Sequence, residues 1–342
     1  MKLYFLILLI SCLIFSCGRD KAPTIEYQHV NASDSLTFYA GLPVDLQPFK
    51  GYLFVNDFLG DEGLVHVVDI EQDSILFSFL QTGGGPNEVV SLANMEIFTV
   101  GELNVLGVFD GNMKRYRGYD IDSVLAIKTL HHPLLDKSVD IPYSINGLYK
   151  IDRGYVATGF FPDGKFALLN DSLELKSYTG QYRPKKNEGV AKILDAQANI
   201  GKSKLSPSKK QLASVVFHAG IVEFYEVTAD SIVKKWEFVK DELDYTTKNG
   251  KQVVNKGVEG FISVDVTDEF VFALYSGDMF NMDEVATYGK FVYQFDLKGN
   301  LINTYELDRK VLDIHIDGNE LRSIVHNPEP KVIVYNLAEI GG

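Results

Sequence analysis

The chain has 342 residues (38.3 kDa), with 33 lysines and arginines against 46 aspartates and glutamates, a net charge of -13 and a pI near 5.0. An apolar share of 46% with 23% charged residues is the composition of a packed globular protein, which excludes a disordered or collagenous chain. So acidic a total lacks the basic stripe that phosphate binding needs and excludes a nucleic-acid partner.

Lys2 is followed by an apolar run over residues 3–15, broken only by Ser11. The run is too short for a bilayer core that needs ~20 residues, and it fits the apolar region of a secretory signal. Ile14-Phe15-Ser16-Cys17 is similar to the bacterial lipobox, in which a small residue precedes a cysteine that is acylated and becomes the mature N-terminus; Phe15 is bulkier than its usual occupant. The same residues leave open a plain signal peptide that happens to contain a cysteine. Cys12 would leave with the leader, so the mature chain would hold Cys17 alone, which excludes a disulfide, a zinc-thiolate site and a thiol nucleophile. Its charge would be -14, so acyl chains rather than basic residues would hold it at a membrane.

From Leu36 onward, short β-branched and aromatic runs are bounded by Gly, Asn and Asp, and helical periodicity is scarce. Tyr52-Leu53-Phe54-Val55, Leu64-Val65-His66-Val67-Val68, Phe291-Val292-Tyr293-Gln294-Phe295 and Lys331-Val332-Ile333-Val334-Tyr335 each read as a strand. Asp34-Ser35-Leu36, Asp73-Ser74-Ile75, Asp122-Ser123-Val124, Asp171-Ser172-Leu173 and Asp230-Ser231-Ile232 form one turn pattern, with Gly299-Asn300-Leu301 as a sixth turn. The steps of 39, 49, 49, 59 and 69 residues are the size of a four-stranded propeller blade with growing insertions. Six turns predict six blades. The last strand-like run, ending at Tyr335, leaves too little chain for a fourth strand, whereas Leu36-Thr37-Phe38-Tyr39 is surplus at the other end. The N-terminal strand is therefore predicted to close the last blade. On this reading a chain beginning at Asn31 behaves like the mature protein and one beginning at Gly41 does not.

Gln81-Thr82-Gly83-Gly84-Gly85-Pro86-Asn87-Glu88, Leu205-Ser206-Pro207-Ser208-Lys209-Lys210-Gln211-Leu212-Ala213, Ala273-Leu274-Tyr275-Ser276-Gly277 and residues 291–336 together resemble the TolB-like six-bladed β-propeller lipoproteins of Bacteroides-type bacteria. Ser208 stands where such repeats usually carry Asp. The resemblance implies an all-β, six-bladed propeller and the glycine-rich crossing from its first blade to its second; it implies no reaction. The expected division is a signal at 1–16, a lipidated tether at 17–33 and the propeller at 34–342.

Loops from second to third strands and from blade to blade gather at one end of a propeller, where partners dock. The coarse strand reading puts Asn56, Asp57, Asn87, Glu88, Asp110, His131, His132, Phe160, Phe161, His218, Tyr275, His326 and Glu329 there, with four of the seven histidines. Imidazoles and carboxylates from several blades could bind a metal or do acid/base chemistry, yet none has helix-fixed ligand spacing, and adjacent His131 and His132 chelate poorly. No metal or cofactor is expected. The Gly83-Gly84-Gly85 run leads into a strand rather than a helix, so it predicts a tight crossing and no phosphate cradle. Residues 183–210 carry a local +6 suited to an anionic glycan or acidic partner, or only to solvent.

Met279, Phe280 and Met282 are apolar in a wet loop: they either contact a partner or fold over the channel mouth. With Tyr275, His218 and His326 they are the candidate partner-binding residues. The function expected is a lipid-anchored binding or scaffolding module of the cell envelope, at the outer membrane, for a protein or glycan partner. The alternative is a propeller hydrolase or lyase, which would show a cavity with a His and a carboxylate ~3 Å apart.

Overall fold

The computed structural model describes residues 25–37, 41–183, 192–248, 251–254, 258–279 and 286–337. Cys17, Phe38, Tyr39, Lys185, Lys186, Phe280 and Met282 lie outside them. Six antiparallel sheets follow one another, each with its first strand innermost. Blade one is Pro43–Phe49, Tyr52–Asp57, Val65–Asp69 and Ser74–Phe79; blade two is Leu92–Val100, Leu103–Asp110, Arg115–Asp120 and Leu135–Ser138. Blade three is Ile145–Ile151, Gly154–Gly159, Phe166–Leu169 and Leu175–Thr179; blade four is Ser203–Leu205, Gln211–Val216, Ile221–Val227 and Ile232–Val239. Blade five is Phe261–Val266, Phe270–Tyr275, Gly289–Asp296 and Leu301–Val311, and blade six begins with Ile314–Asp317, Glu320–Val325 and Lys331–Asn336.

The fourth strand of blade six is Asp34–Thr37, antiparallel to Lys331–Asn336, with Leu36 opposite Val332. The predicted closure is there, two residues earlier than the sequence suggests. A second N-terminal strand was not foreseen: Gln28–Val30 lies parallel to Leu301–Val311 as a fifth strand of blade five. Val30 is buried among Ile262, Phe272 and Leu307, and the hydroxyls of Tyr27 and Tyr293 meet at 2.6 Å. A chain beginning at Asn31 therefore loses native contacts, contrary to the reading from sequence.

Among the described residues most of the core lies in six apolar layers, each between two neighbouring blades, with a small further cluster of Val216, Ala219 and Ile221 in blade four. Phe54, Val67, Met95 and Leu106 join blades one and two. Phe109, Tyr116, Leu148 and Phe161 join two and three, Val156, Phe166, Leu212 and Tyr225 three and four, and Phe224, Phe261, Tyr293 and Phe295 four and five. Leu274, Val292, Leu321 and Tyr335 join five and six, and Leu36, Leu46, Leu53 and Ile324 close six onto one. A blade is covered on both faces, which is why its strands read as continuous apolar runs instead of alternating ones.

The repeated tripeptide marks the passage from third to fourth strand in every blade. It is a turn in blades one, three, four and five. At Gly299 in blade five φ is +90°, and a Cβ would press on the Trp236 indole, which stacks at 5.3 Å on Phe224. In blade six Asp34 and Ser35 belong to the strand itself, because the connection is broken there. In blade two Asp122-Ser123-Val124 lies in a helix, Ile121–Ile127, whose N-cap Asp120 accepts from the backbone N–H groups of Asp122 and Ser123. The glycine-rich segment is the crossing from blade one to blade two: Gln81–Thr82 pairs parallel with Glu88–Val89, Glu88 accepts the N–H of Gly85 at 2.7 Å, and Arg117 donates to the Glu88 carbonyl at 2.7 Å.

Candidate functional site

The blade crossings and the second-to-third-strand loops share one end of the ring, here the upper end. Tyr275, Met279, His218 and His326 are at that end. His131 and His132 are not: they lie between the blade-two helix and Leu135–Ser138, on a third-to-fourth-strand connection at the lower end. Reading Asp122-Ser123-Val124 as a simple turn placed them wrongly. His66 is the upper-end histidine that the apolar run Val65–Asp69 concealed.

Most of the candidate side chains are engaged within the fold. The buried Tyr275 hydroxyl donates to Asp241 at 2.6 Å beneath the Lys240 ammonium, 5.1 Å from the ring; burial and then Asp241 push its phenol above the usual range. His326 holds blade six to blade one, with Nε2 2.7 Å from the Pro43 carbonyl oxygen and Nδ1 2.9 Å from the Tyr288 hydroxyl. His218 is half-buried with Nδ1 3.9 Å from the Glu259 carboxylate, and burial lowers its pKa. Met279 alone of these is widely open, at 72% exposure. Its loop is fastened to the crossing from blade four to blade five: Glu259 N–H donates to the Asp278 carbonyl and Gly277 N–H to the Glu259 carbonyl, both at 2.9 Å or less. An extra layer adjoins it, in which the Tyr245–Lys248 and Lys251–Val254 hairpin meets the helix Lys192–Ala198 through a 2.5 Å hydrogen bond from Tyr245 to Asp195.

The axis of the ring is spanned by charge. Lys204 of blade four donates to Asp45 of blade one at 2.9 Å, although a six-blade ring puts these on opposite sides. Lys202 is 2.5 Å from Asp313 and 3.5 Å from Asp45, and Ser263 donates to Asp313. Burial opposes ionisation of Asp45, but Lys204 and Lys202 prevail and hold its carboxyl far below the usual range. Burial likewise opposes the Lys204 charge, and Asp45, Asp313 and Asp265 overcome it, raising its pKa. Beside this network Glu96 accepts the Tyr116 hydroxyl and the Lys150 N–H, both at 2.8 Å, and burial raises its pKa against the pull of Lys209.

A second cluster sits on the flank of blade one. Asp57, fully buried, accepts the N–H groups of Gly41, Leu42 and Leu59 at 2.5, 2.6 and 3.1 Å and lies 2.9 Å from His66 Nε2. His66 Nδ1 is 2.7 Å from the Ser78 hydroxyl. Burial opposes the Asp57 charge, yet His66 and the three N–H groups lower its pKa. Asp57, His66 and Ser78 all border a cavity of about 730 Å³. Among the described residues no group of three or more His, Cys, Asp or Glu is placed to hold a metal ion, and no helix is long and apolar enough to cross a membrane.

The family model for TolB-like six-blade propellers matches residues 23–319. The chain belongs to the TolB-like propeller family. Two solved structures of like fold support the TolB-like architecture. One is a Bacteroides fragilis protein described as exported (TM-score 0.56, 10% identity, 91% of this chain and 99% of that one). The other is a DUF4221-family protein of Bacteroides vulgatus (TM-score 0.53, 11% identity, 92% and 96%). At such identities the likeness of this TolB-like chain to them is one of fold. No curated protein matches it.

Proposed function

We propose that this TolB-like propeller is an exported lipoprotein of a bacterial cell envelope, held at the outer membrane by an acylated Cys17, and that it binds an envelope protein or glycan through its upper end. The observation that carries the binding role is Met279, 72% exposed at the end of a segment, 277–279, that backbone hydrogen bonds fasten to the crossing from blade four to blade five. The ion pairs across the axis suit a ring that serves as a scaffold. The leader and lipobox-like residues support export, as does the description of the B. fragilis protein as exported.

Cys17→Ser is expected to move the protein from the detergent phase to the aqueous phase with an unchanged melting temperature, since no described residue depends on that sulfur. Unchanged partitioning would refute the anchor. Met279→Ser is expected to keep stability within ~0.5 kcal/mol, as surface substitutions do, and to weaken capture of the envelope partner found by crosslinking the native protein. Full capture by the variant would move the search to the basic insertion at residues 183–210. The enzymatic alternative has one observation in its favour, the Asp57–His66 pair at 2.9 Å beside the cavity on blade one.

A further inference from the structure

We propose that Ser78, His66 and Asp57 form a serine-nucleophile site that transfers the acyl group of uncharged or cationic carboxylic esters to water, on the upper flank of blade one and apart from the Met279 loop of blade five. Ser78 and His66 are directly opposite on neighbouring strands, so the sheet register itself sets their approach. Asp57 is at the end of the strand on the other side of His66. An ionised Asp57 only accepts hydrogen bonds, so in the neutral imidazole it favours the tautomer that carries the proton at Nε2. In that tautomer the Nδ1 lone pair faces the Ser78 hydroxyl, 2.7 Å away, as its acceptor. Nucleophile, base and the group that orients the base are thus in hydrogen-bond reach in the required order.

Blade two shows what the fold alone requires at this place. Asp110, at the end of its second strand, accepts the N–H of Val90 from the crossing at 2.7 Å and those of Asn112 and Met113 at 3.1 and 3.0 Å, with no histidine attached. By ladder register the counterparts of His66 and Ser78 there are Arg117 and Asp136, and Arg117 bonds the carbonyl of Glu88. A carboxylate at the strand end is enough to hold a crossing. The imidazole and hydroxyl aligned behind Asp57 are additional to it.

The cavity beside Ser78 sets the substrate class. Its apolar wall is Leu59, Ile75, Leu76 and Phe77, which suits a short acyl chain. Asp61, Glu62 and Asp73 also border it, and among the described residues no lysine or arginine does, so the site disfavours an anionic substrate. In the first step the Ser78 O–H bond breaks, its proton passes to His66 Nδ1, and Oγ bonds to the ester carbonyl carbon. His66 returns that proton to the leaving alcohol as the C–O bond breaks, leaving an acyl-serine. Water attacks the acyl carbon by the same sequence, giving the carboxylic acid and free Ser78. Asp57 is a positioning residue throughout.

The test uses the purified mature chain with a fluorophosphonate probe and p-nitrophenyl butyrate. Labelling on Ser78 is expected, with ester hydrolysis lowered roughly 10²-fold or more in His66→Gln and in Ser78→Ala, the latter at an unchanged melting temperature. Ser78→Cys is expected to react with iodoacetamide faster than Ser78→Cys combined with His66→Gln, a readout that a purely structural histidine would not move. Hydrolysis by Ser78→Ala at the wild-type rate, or probe recovered only elsewhere, overturns the site. Ile127→Ser, exposed on the blade-two helix, should hydrolyse at the wild-type rate, and wild-type hydrolysis by a chain that captures no envelope partner would leave this site standing while the binding reading fails.

Discussion

A chain beginning at Gly41 should melt ~10 °C below the mature protein and aggregate on concentration. It loses Asp34–Thr37, which leaves the Lys331–Asn336 edge unpaired, and it also loses Gln28–Val30 from blade five. Leu36 and Val30 are each 4% exposed, and burying a side chain of that size contributes ~1.5–3 kcal/mol. Their combined loss is ~3–6 kcal/mol before any lost hydrogen bonds are counted, and for a domain this large each kcal/mol moves the melting temperature by ~2 °C. A chain beginning at Asn31 should fall between the two, because it keeps Leu36 and forfeits Val30 and the Tyr27–Tyr293 hydrogen bond. Calorimetry of the three chains decides this. Equal melting temperatures would show that neither strand supports the ring.

Lys204→Met should destabilise the protein by ~3–5 kcal/mol, the usual cost of leaving one member of a buried ion pair without its partner. Asp45 would keep Lys202 at 3.5 Å as its remaining cation, with the Gln47 amide at 3.4 Å. Adding Asp45→Asn to Lys204→Met should restore much of the loss, since two neutral side chains need no countercharge. The acid response follows from the same pair. Because Asp45 is depressed when folded, its contribution is complete above its unfolded pKa of ~3.9 and is lost as pH falls toward the lower folded value. Lys204 is raised when folded, so its contribution is complete below ~10.4 and is lost only as pH rises beyond that. Asp45→Asn should therefore show a shallower loss of melting temperature between pH 5 and 2 than wild type. Parallel curves would remove Asp45 from acid unfolding.

Local chemistry made the propeller readable from sequence. Each third-to-fourth-strand passage needs a short polar link between two apolar strands, and Asp-Ser followed by an aliphatic residue supplies it in blades one, three and four. The same tripeptide suits a helix start once Asp120 precedes it as a cap, so in blade two pattern and structure part, and His131 and His132 go to the other end. Gln28–Val30 was illegible because three residues carry too little pattern, and their partner strand is some 277 positions away (Gln28 to Tyr305). The axial network has the same cause: Asp45 and Lys204 are 159 positions apart, and in sequence each looks like an ordinary surface charge. His66 lay hidden in an apolar run, since a strand buried on both faces reads the same whether or not it carries one imidazole.

The hydrogen bond from the Ser33 N–H to the Val334 carbonyl joins positions 301 apart, so the seam joins the first-made and last-made parts of the ring. During synthesis Asp34–Thr37 emerges before the first strand of blade one and has no native partner until Lys331–Asn336 follows. Blade six must therefore be completed last, and its formation should set the pace of folding, as long-range pairings do. Two chains waiting at that stage each present a free strand and an open edge of matching register. At high concentration they can satisfy each other, giving a dimer in which each ring is finished by the other molecule's N-terminal strand.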